Sequence, residues 1–134
     1  LDVRVMGFDY GTRKIGIATG QDLTGQATPL TTLQMVQQRP DWERIGQLID
    51  EWRPDMLLVG LPLNMDDTPT LLTERCRRFG RQLAGRYRLP VDWVDERLSS
   101  REARNRFAGH YEKCGLDAFA AQLIIETWLS EQDG

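Results

Sequence analysis

Acidic residues stand at positions where predicted strands end and the last predicted helix begins. Asp9 follows an apolar strand, Asp95 and Glu96 end another, and Asp117 opens the final helix. Such oxygen ligands suit Mg²⁺ or Mn²⁺ held partly by a substrate phosphate. Two ions about 3.5–4 Å apart would activate a water and stabilise the leaving oxygen of a phosphodiester. In a regular strand Asp95 and Glu96 point to opposite faces, so only one can be a ligand, and we favour Glu96.

Each of these acids also has a simpler structural explanation. Asp9 could start an Asx-type turn, since Gly11 and Thr12 follow it closely. Asp117 could cap its helix or interact with the helix dipole. Glu96 could form a surface ion pair with a neighbouring arginine. The metal-site interpretation gains support because all of these acids fall at the ends of predicted elements.

The elements that would position the acids are predicted from hydrophobic periodicity and turn residues. Val5 to Thr19 is typical of a strand, a tight turn and a second strand, and Gly25 to Leu33 of a third strand at a sheet edge, where Pro29 is tolerated. The remaining predicted elements are a helix that Pro40 and Asp41 open and Arg53 and Pro54 stop, a strand Met56–Leu61, a helix Thr70–Tyr87, a strand Val91–Glu96, a short helix Ser99–Phe107 and a helix Leu116–Leu129. Apolar residues at helical spacing predict a stripe on each of the first two helices: Trp42, Ile45, Leu48, Ile49 and Trp52 on one, and Leu71, Leu72, Phe79, Leu83 and Tyr87 on the other.

This order predicts an α/β fold with a five-stranded mixed sheet, three antiparallel strands followed by two parallel ones, flanked by helices. With the first strand central, the Val59 strand beside it and the Val94 strand beyond, Asp9 and Glu96 would lie roughly 10 Å apart at the backbone. Two side chains and an ion can bridge that gap. Small residues at the start of the last helix, including Ala118 and Ala121, predict close packing against the sheet.

Length and composition indicate one domain over residues 1–134, with no window of about 18 apolar residues that could cross a membrane and no secretory signal. Cys76 and Cys114 lie far apart without metal-binding spacing, which favours reduced thiols in a cytoplasmic protein. His110 is the single histidine, which argues against a histidine metal cluster or a Ser/His/Asp triad.

Positive charge is concentrated in one part of an acidic chain. Residues 75–106 contain ten arginines and four acids, a local net charge of +6, whereas the whole chain carries −3. Arginine's planar guanidinium group suits phosphate recognition. A solvated helix face is the simpler explanation of the same charges.

Four segments together resemble the YqgF family of bacterial RNase H-like nucleases, also described as RuvX or as Holliday junction resolvases. They are residues 9–18 (DYGTRKIGIA), 59–66 (VGLPLNMD) and 94–99 (VDERLS), and Asp117 ahead of an alanine-rich helix. The resemblance implies an RNase H-like fold and metal-dependent phosphodiester hydrolysis in the cytoplasm, with Mg²⁺ or Mn²⁺. Asp9, Glu96 and Asp117 would be the catalytic metal ligands, and Lys14, Asn64, Asp66, Arg97 and Arg101 would border the substrate.

The resemblance also implies a role, which is trimming of the 5′ end of pre-16S rRNA, either free or in ribosomal precursor particles. Cleavage of branched DNA is the alternative, and no motif separates RNA from DNA. A two-fold symmetric DNA junction would favour a homodimer over a monomer. A non-catalytic nucleic-acid-binding module with the same fold stays open. An ATPase or sugar kinase, which uses a similar Asp-x-Gly-Thr turn, would need a second domain that this length cannot supply.

Overall fold

A computed structural model describes residues 3–62, 70–95 and 116–133 of the chain, and these residues form five strands and three helices. The elements are β1 (Arg4–Tyr10), β2 (Lys14–Gln21), β3 (Gln26–Gln34), α1 (Trp42–Trp52), β4 (Met56–Leu61), α2 (Leu71–Tyr87), β5 (Val91–Asp95) and α3 (Leu116–Asp133). They confirm the predicted order, and α3 extends four residues beyond the predicted end at Leu129. The predicted helix from Ser99 to Phe107 lies outside the described residues.

The strands form one mixed sheet in the order β3-β2-β1-β4-β5. The first three strands pair antiparallel, and β1, β4 and β5 run parallel to one another. The predicted fold class and the central position of β1 are therefore confirmed. Because β1, β4 and β5 are parallel, their last residues, Tyr10, Leu61 and Asp95, end at one side of the sheet, which we call the carboxyl edge.

The outer strand β3 contains Pro29 at an irregular position. The register with β2 shifts between Ile17, which pairs with Thr31, and Ala18, which pairs with Pro29. Proline has no backbone N–H and is accommodated at sheet edges and bulges. The prediction of an edge strand is thus confirmed, with the proline beside a bulge.

Helices cover both faces of the sheet, and alternate strand residues point to each face. Met6 and Phe8 of β1 face α1 and α2, whereas Val5 faces α3. The core under α1 and α2 includes Ile15, Ile17, Leu57, Val59, Ile45, Leu48, Phe79 and Leu83. The core under α3 includes Ala18, Leu58, Val94, Ala121, Ile124, Ile125 and Trp128.

Helix α1 begins and ends at the residues that its sequence signals predicted. The Asp41 side chain accepts a hydrogen bond from the Arg44 backbone N–H at 3.2 Å, and Arg53 ends the helix in a left-handed conformation with φ of 47°. Such caps satisfy the free backbone groups of a helix end. Trp52, at the end of the predicted apolar stripe, is 42% exposed, so the buried stripe stops at Ile49.

Helix α2 begins after Thr70, whose side chain accepts a hydrogen bond from the Thr73 backbone N–H, while the Thr73 hydroxyl accepts one from the Thr70 N–H. The placement of Leu71 in the apolar stripe is wrong, because this side chain is 72% exposed. The buried residues of α2 include Cys76 and Phe79, and Leu71 lies roughly 145° around the helix from the centre of all the buried positions.

Helix α3 packs closely on β1 and β2, as its small residues predicted. Ala118 and Ala121 are fully buried, and a Cβ atom added at Gly7 would lie 3.1 Å from the Ala121 carbonyl oxygen. At the other end of the helix the Trp128 indole Nε1 donates a hydrogen bond of 3.0 Å to Asp92 Oδ2 of β5. None of the helices in the described ranges is long and apolar enough to cross a membrane.

Candidate active site

Asp9 lies at the carboxyl edge on the sheet face that α3 covers. Phe8 and Tyr10, the residues on either side, pack with the core under α1 and α2. Gly7, two residues earlier, lies against Ile125 of α3. Because residues two apart in a strand point to the same face, Asp9 lies on the α3 face of the sheet, as Gly7 does. The Asp9 side chain is half-buried there.

Asp117 is brought to the same place by a close contact between α3 and β2. Gly16 of β2 is the direct cross-strand partner of Asp9. A Cβ atom at Gly16 would collide with the backbone carbonyl of Asp117 and would lie 2.7 Å from the Ala118 nitrogen. Side-chain positions directly opposite in an antiparallel pair are about 4.5–5.5 Å apart. The first turn of α3 thus sits beside the strand position of Asp9.

Asp95 faces the other side of the sheet. It pairs with Leu61, which packs against the core under α1 and α2. Val94, the residue before it, is buried in the core under α3. Asp95 therefore lies away from Asp9, although both stand at the carboxyl edge. The other predicted site residues, Glu96, Asn64, Asp66, Arg97 and Arg101, lie outside the described residues.

Lys14 is the one predicted substrate-contacting residue in the described part of the chain. It opens β2 after a tight turn, which a hydrogen bond of 2.9 Å from the Gly11 N–H to the Lys14 carbonyl closes. Strand alternation gives Lys14 the same face as Gly16, and its side chain is exposed. A positive charge is thus available at the same end of the sheet as Asp9 and Asp117.

Tyr10 lies at the carboxyl edge on the sheet face opposite to Asp9, the face that α1 and α2 cover. Burial raises the pKa of its hydroxyl above the ordinary value, and the nearby Cys76 thiol adds to the increase. The guanidinium groups of Arg75 and Arg78 act in the opposite direction on the pKa of Tyr10. The Cys76 thiol also donates a weak hydrogen bond of 3.9 Å to the Tyr10 carbonyl. Tyr10 is neutral near pH 7, and two positive charges of α2 lie close enough to affect it.

The described donors fit a hard divalent cation. Asp9 and Asp117 supply carboxylate oxygens, which Mg²⁺ and Mn²⁺ prefer. Within residues 3–62, 70–95 and 116–133 there is no group of three aspartate, glutamate, histidine or cysteine side chains that could hold a metal ion. The predicted ligand set is therefore two carboxylates from the described part and Glu96 from beyond it.

A cavity of about 400 Å³ lies at the other end of the sheet and is separate from this site. Its lining includes Arg4, Gly20 and Trp52. Gly20 pairs with Val5, four residues before Asp9, and strand geometry places the cavity roughly 13 Å or more from the acids. The cavity therefore does not belong to the carboxylate site.

Gly16 is the site residue whose importance the sequence did not reveal. Its small size was visible, but the reason for it is the close approach of Asp117. A glycine inside a strand can mark such an approach of another backbone. That signal was present in the sequence, although it could not name the partner.

The fold and site define a class. The sheet order and the helices on both faces form an RNase H-like fold, and an acid, Asp9, lies next to the last residue of its central strand. The structure of T. thermophilus RuvC in complex with a Holliday junction substrate has this fold, with a TM-score of 0.59 over 98% of this chain and 96% of that chain. Sequence identity is 15%, so the likeness concerns the fold alone.

Within this class the chain belongs to the RuvX family, whose model, described as Holliday junction resolvase, matches residues 3–131. Similar proteins from Nitrosococcus oceani and Azotobacter vinelandii both carry the name "Putative pre-16S rRNA nuclease". The first is 54% identical, covering 96% of this chain and 87% of that protein, and the second is 51% identical, covering 96% and 94%. The resemblance drawn from the sequence is confirmed, and the chain is a member of a nuclease family.

Proposed function

We propose that this chain is a divalent-metal-dependent nuclease that hydrolyses phosphodiester bonds at the 5′ end of pre-16S rRNA in the cytoplasm. The observation that most supports a hydrolytic site is the contact of Gly16 with the backbone of Asp117, because it puts a second acidic residue beside the strand position of Asp9. The name shared by the relatives from N. oceani and A. vinelandii supports the choice of a ribosomal RNA precursor.

In this proposal Asp9, Glu96 and Asp117 hold one or two Mg²⁺ or Mn²⁺ ions. Ions bound there would supply an activated water and neutralise charge on the transferring phosphate. The position of Asp95 on the opposite face supports Glu96 as the third ligand, because the next residue of a regular strand returns to the face of Asp9. We assign phosphate and substrate contacts to Lys14, Asn64, Asp66, Arg97 and Arg101.

Cleavage of a DNA Holliday junction is the second candidate function, and the description of the matching family model favours it. A four-way junction has two-fold symmetry, which a symmetric dimer would match. Analytical ultracentrifugation with and without a junction therefore bears on this candidate. A chain that remains a monomer on junction DNA and cleaves only the RNA precursor would exclude it.

The decisive test is cleavage of both substrates by the unaltered chain and by Asp9→Asn. We expect cleavage of a pre-16S RNA fragment with Mg²⁺ or Mn²⁺, none with chelator, and none by Asp9→Asn. The substitution removes one negative ligand while preserving side-chain size, so folding should be retained, as checked by circular dichroism and thermal melting.

Asp50→Asn is the matched control, because it makes the same chemical change at an exposed position on α1. It should cleave like the unaltered chain. Undiminished cleavage of both substrates by Asp9→Asn would overturn the metal-site assignment. Metal-dependent cleavage of the junction alone would favour the second candidate.

A further inference from the structure

Helix α2 presents an exposed positive surface that the carboxylate site does not use. Arg75, Arg78 and Arg81 are all exposed, whereas the opposite side of the helix is buried against the sheet. We call these three residues the α2 arginine face. Successive members are about 4.5 Å apart along the helix axis. The only acid in α2 is Glu74, so the face keeps a net positive charge.

The α2 arginine face starts at the carboxyl edge. Helix α2 follows β4, and the Thr73 hydroxyl donates a hydrogen bond to the Pro62 carbonyl, immediately after that strand ends. Cys76, which lies between Arg75 and Arg78 in the sequence of α2, donates a weak hydrogen bond of 3.9 Å to the Tyr10 carbonyl. Tyr10 is the residue after Asp9. The α2 arginine face therefore begins at the carboxyl edge, where Asp9 lies, and extends along α2 towards the opposite end of the sheet.

Within the part of the chain that the structure describes, none of the three guanidinium groups forms an ion pair, a hydrogen bond or a ring contact, although Arg75 and Arg78 lie near Tyr10. Arg86 of the same helix differs, because its guanidinium carbon lies 4.2 Å from the centre of the Trp42 ring. That cation–π contact accounts for Arg86 as a packing residue. No comparable contact accounts for the α2 arginine face among the described residues.

Charge and chemistry favour a nucleic-acid backbone as the partner. Residues 75–106 have a net charge of +6 in a chain of −3. The positive residues are arginines, which bind phosphate oxygens with paired hydrogen bonds. We propose that the α2 arginine face binds the phosphate backbone of an RNA strand whose scissile phosphate lies at Asp9 and Asp117. This inference rests on the proposed function and extends its substrate site to α2.

Salt-dependent binding tests the proposal. A single-stranded RNA that spans the 5′ cleavage region would be titrated, by fluorescence anisotropy, with Asp9→Asn protein, so that binding is measured without cleavage. Arg75→Gln/Arg78→Gln would be made in the same background. Each phosphate contact to a single strand contributes about 0.7 to the slope of log affinity against log salt. We expect the double variant to lower that slope by about 1.4.

The same slopes give an expected fold-change. The ratio of the affinities of the parent and the double variant should fall about sevenfold between 50 and 200 mM salt. The matched control is Arg4→Gln/Arg53→Gln, which removes the same charge from exposed arginines at the opposite end of the sheet. Its salt slope should equal that of the parent. Thermal melting of both double variants checks that they fold.

Each outcome of this experiment either supports or overturns RNA binding by the α2 arginine face. An unchanged slope in Arg75→Gln/Arg78→Gln would overturn the proposal, and so would an equal loss in the control, which would indicate a net-charge effect. A loss for a four-way DNA junction but not for the RNA would overturn the choice of RNA. Specific loss of RNA binding by the α2 variant, when the unaltered chain cleaves no substrate, would support the binding face and contradict the proposed nuclease activity.

Discussion

Replacement of Gly16 by alanine tests the contact that joins the two described acids. The added Cβ would collide with the Asp117 carbonyl, a backbone atom that no side-chain rotation can move. Relief of the collision requires the first turn of α3 to shift away from β2 by about 1 Å or more, since ordinary carbon–oxygen contacts are about 3.5 Å or longer. Asp117 must move with that turn.

Two magnitudes follow from this displacement. Overpacking of a well-packed contact destabilises a protein by about 1–3 kcal/mol, which corresponds to roughly 4–12 °C in melting temperature for a chain of this size. A displacement of about 1 Å at a reacting centre lowers the rate by about 100-fold. Misplaced support around a metal ligand weakens metal affinity by about 10–100-fold.

The assays are thermal melting, Mn²⁺ titration by calorimetry and single-turnover cleavage of the RNA precursor. Gly85→Ala is the matched control, because a Cβ atom at this exposed position of α2 would have no neighbour within 4 Å. Alanine is favoured over glycine in a helix by about 0.5–1 kcal/mol, so this variant should be slightly more stable. Its cleavage and Mn²⁺ affinity should match those of the unaltered chain.

One combination of results would refute the reasoning about Asp117. If Gly16→Ala loses stability as expected but binds Mn²⁺ and cleaves like the unaltered chain, then α3 has moved without consequence for the chemistry. Asp117 would then have a role only at the start of α3 and none in metal binding or cleavage. If Gly16→Ala is as stable as the unaltered chain, the close packing of α3 on β2 is itself wrong.

Two further predictions concern hydrogen bonds that hold α3 and the start of α2 in place. Trp128→Phe removes the indole donor to Asp92 and should lower the free energy of unfolding by about 1–2 kcal/mol in urea titrations, whereas Asp92→Asn, which keeps an acceptor oxygen, should lower it less. Thr73→Val removes a buried hydroxyl that bonds to Thr70 and should lower it by about 1–3 kcal/mol, with Thr73→Ser as control. Equal stability of Thr73→Val and the unaltered chain would contradict the role of that hydroxyl.

The locations of strands and helices were predictable because their signals are local. The continuous apolar run Met56–Leu61 became β4 with those bounds, and Asp41 and Arg53 cap α1 where turn chemistry indicated. Exposure near element ends was less predictable. Leu71 and Trp52 have suitable spacing, yet both are exposed. Whether an end residue is covered depends on the neighbouring elements, which periodicity does not describe.

The site was predictable as a set of residue types at element ends, together with a family resemblance. Asp9, Asp95 and Asp117 stand at the ends where the sequence placed them. Tertiary structure decided which acids lie on the same face of the sheet, because that depends on the strand register and on the position at which α3 packs against the strands. It placed Asp117 against Gly16, beside Asp9, and directed Asp95 to the opposite face. These contacts join residues distant in the chain, so only the folded sheet can assemble them.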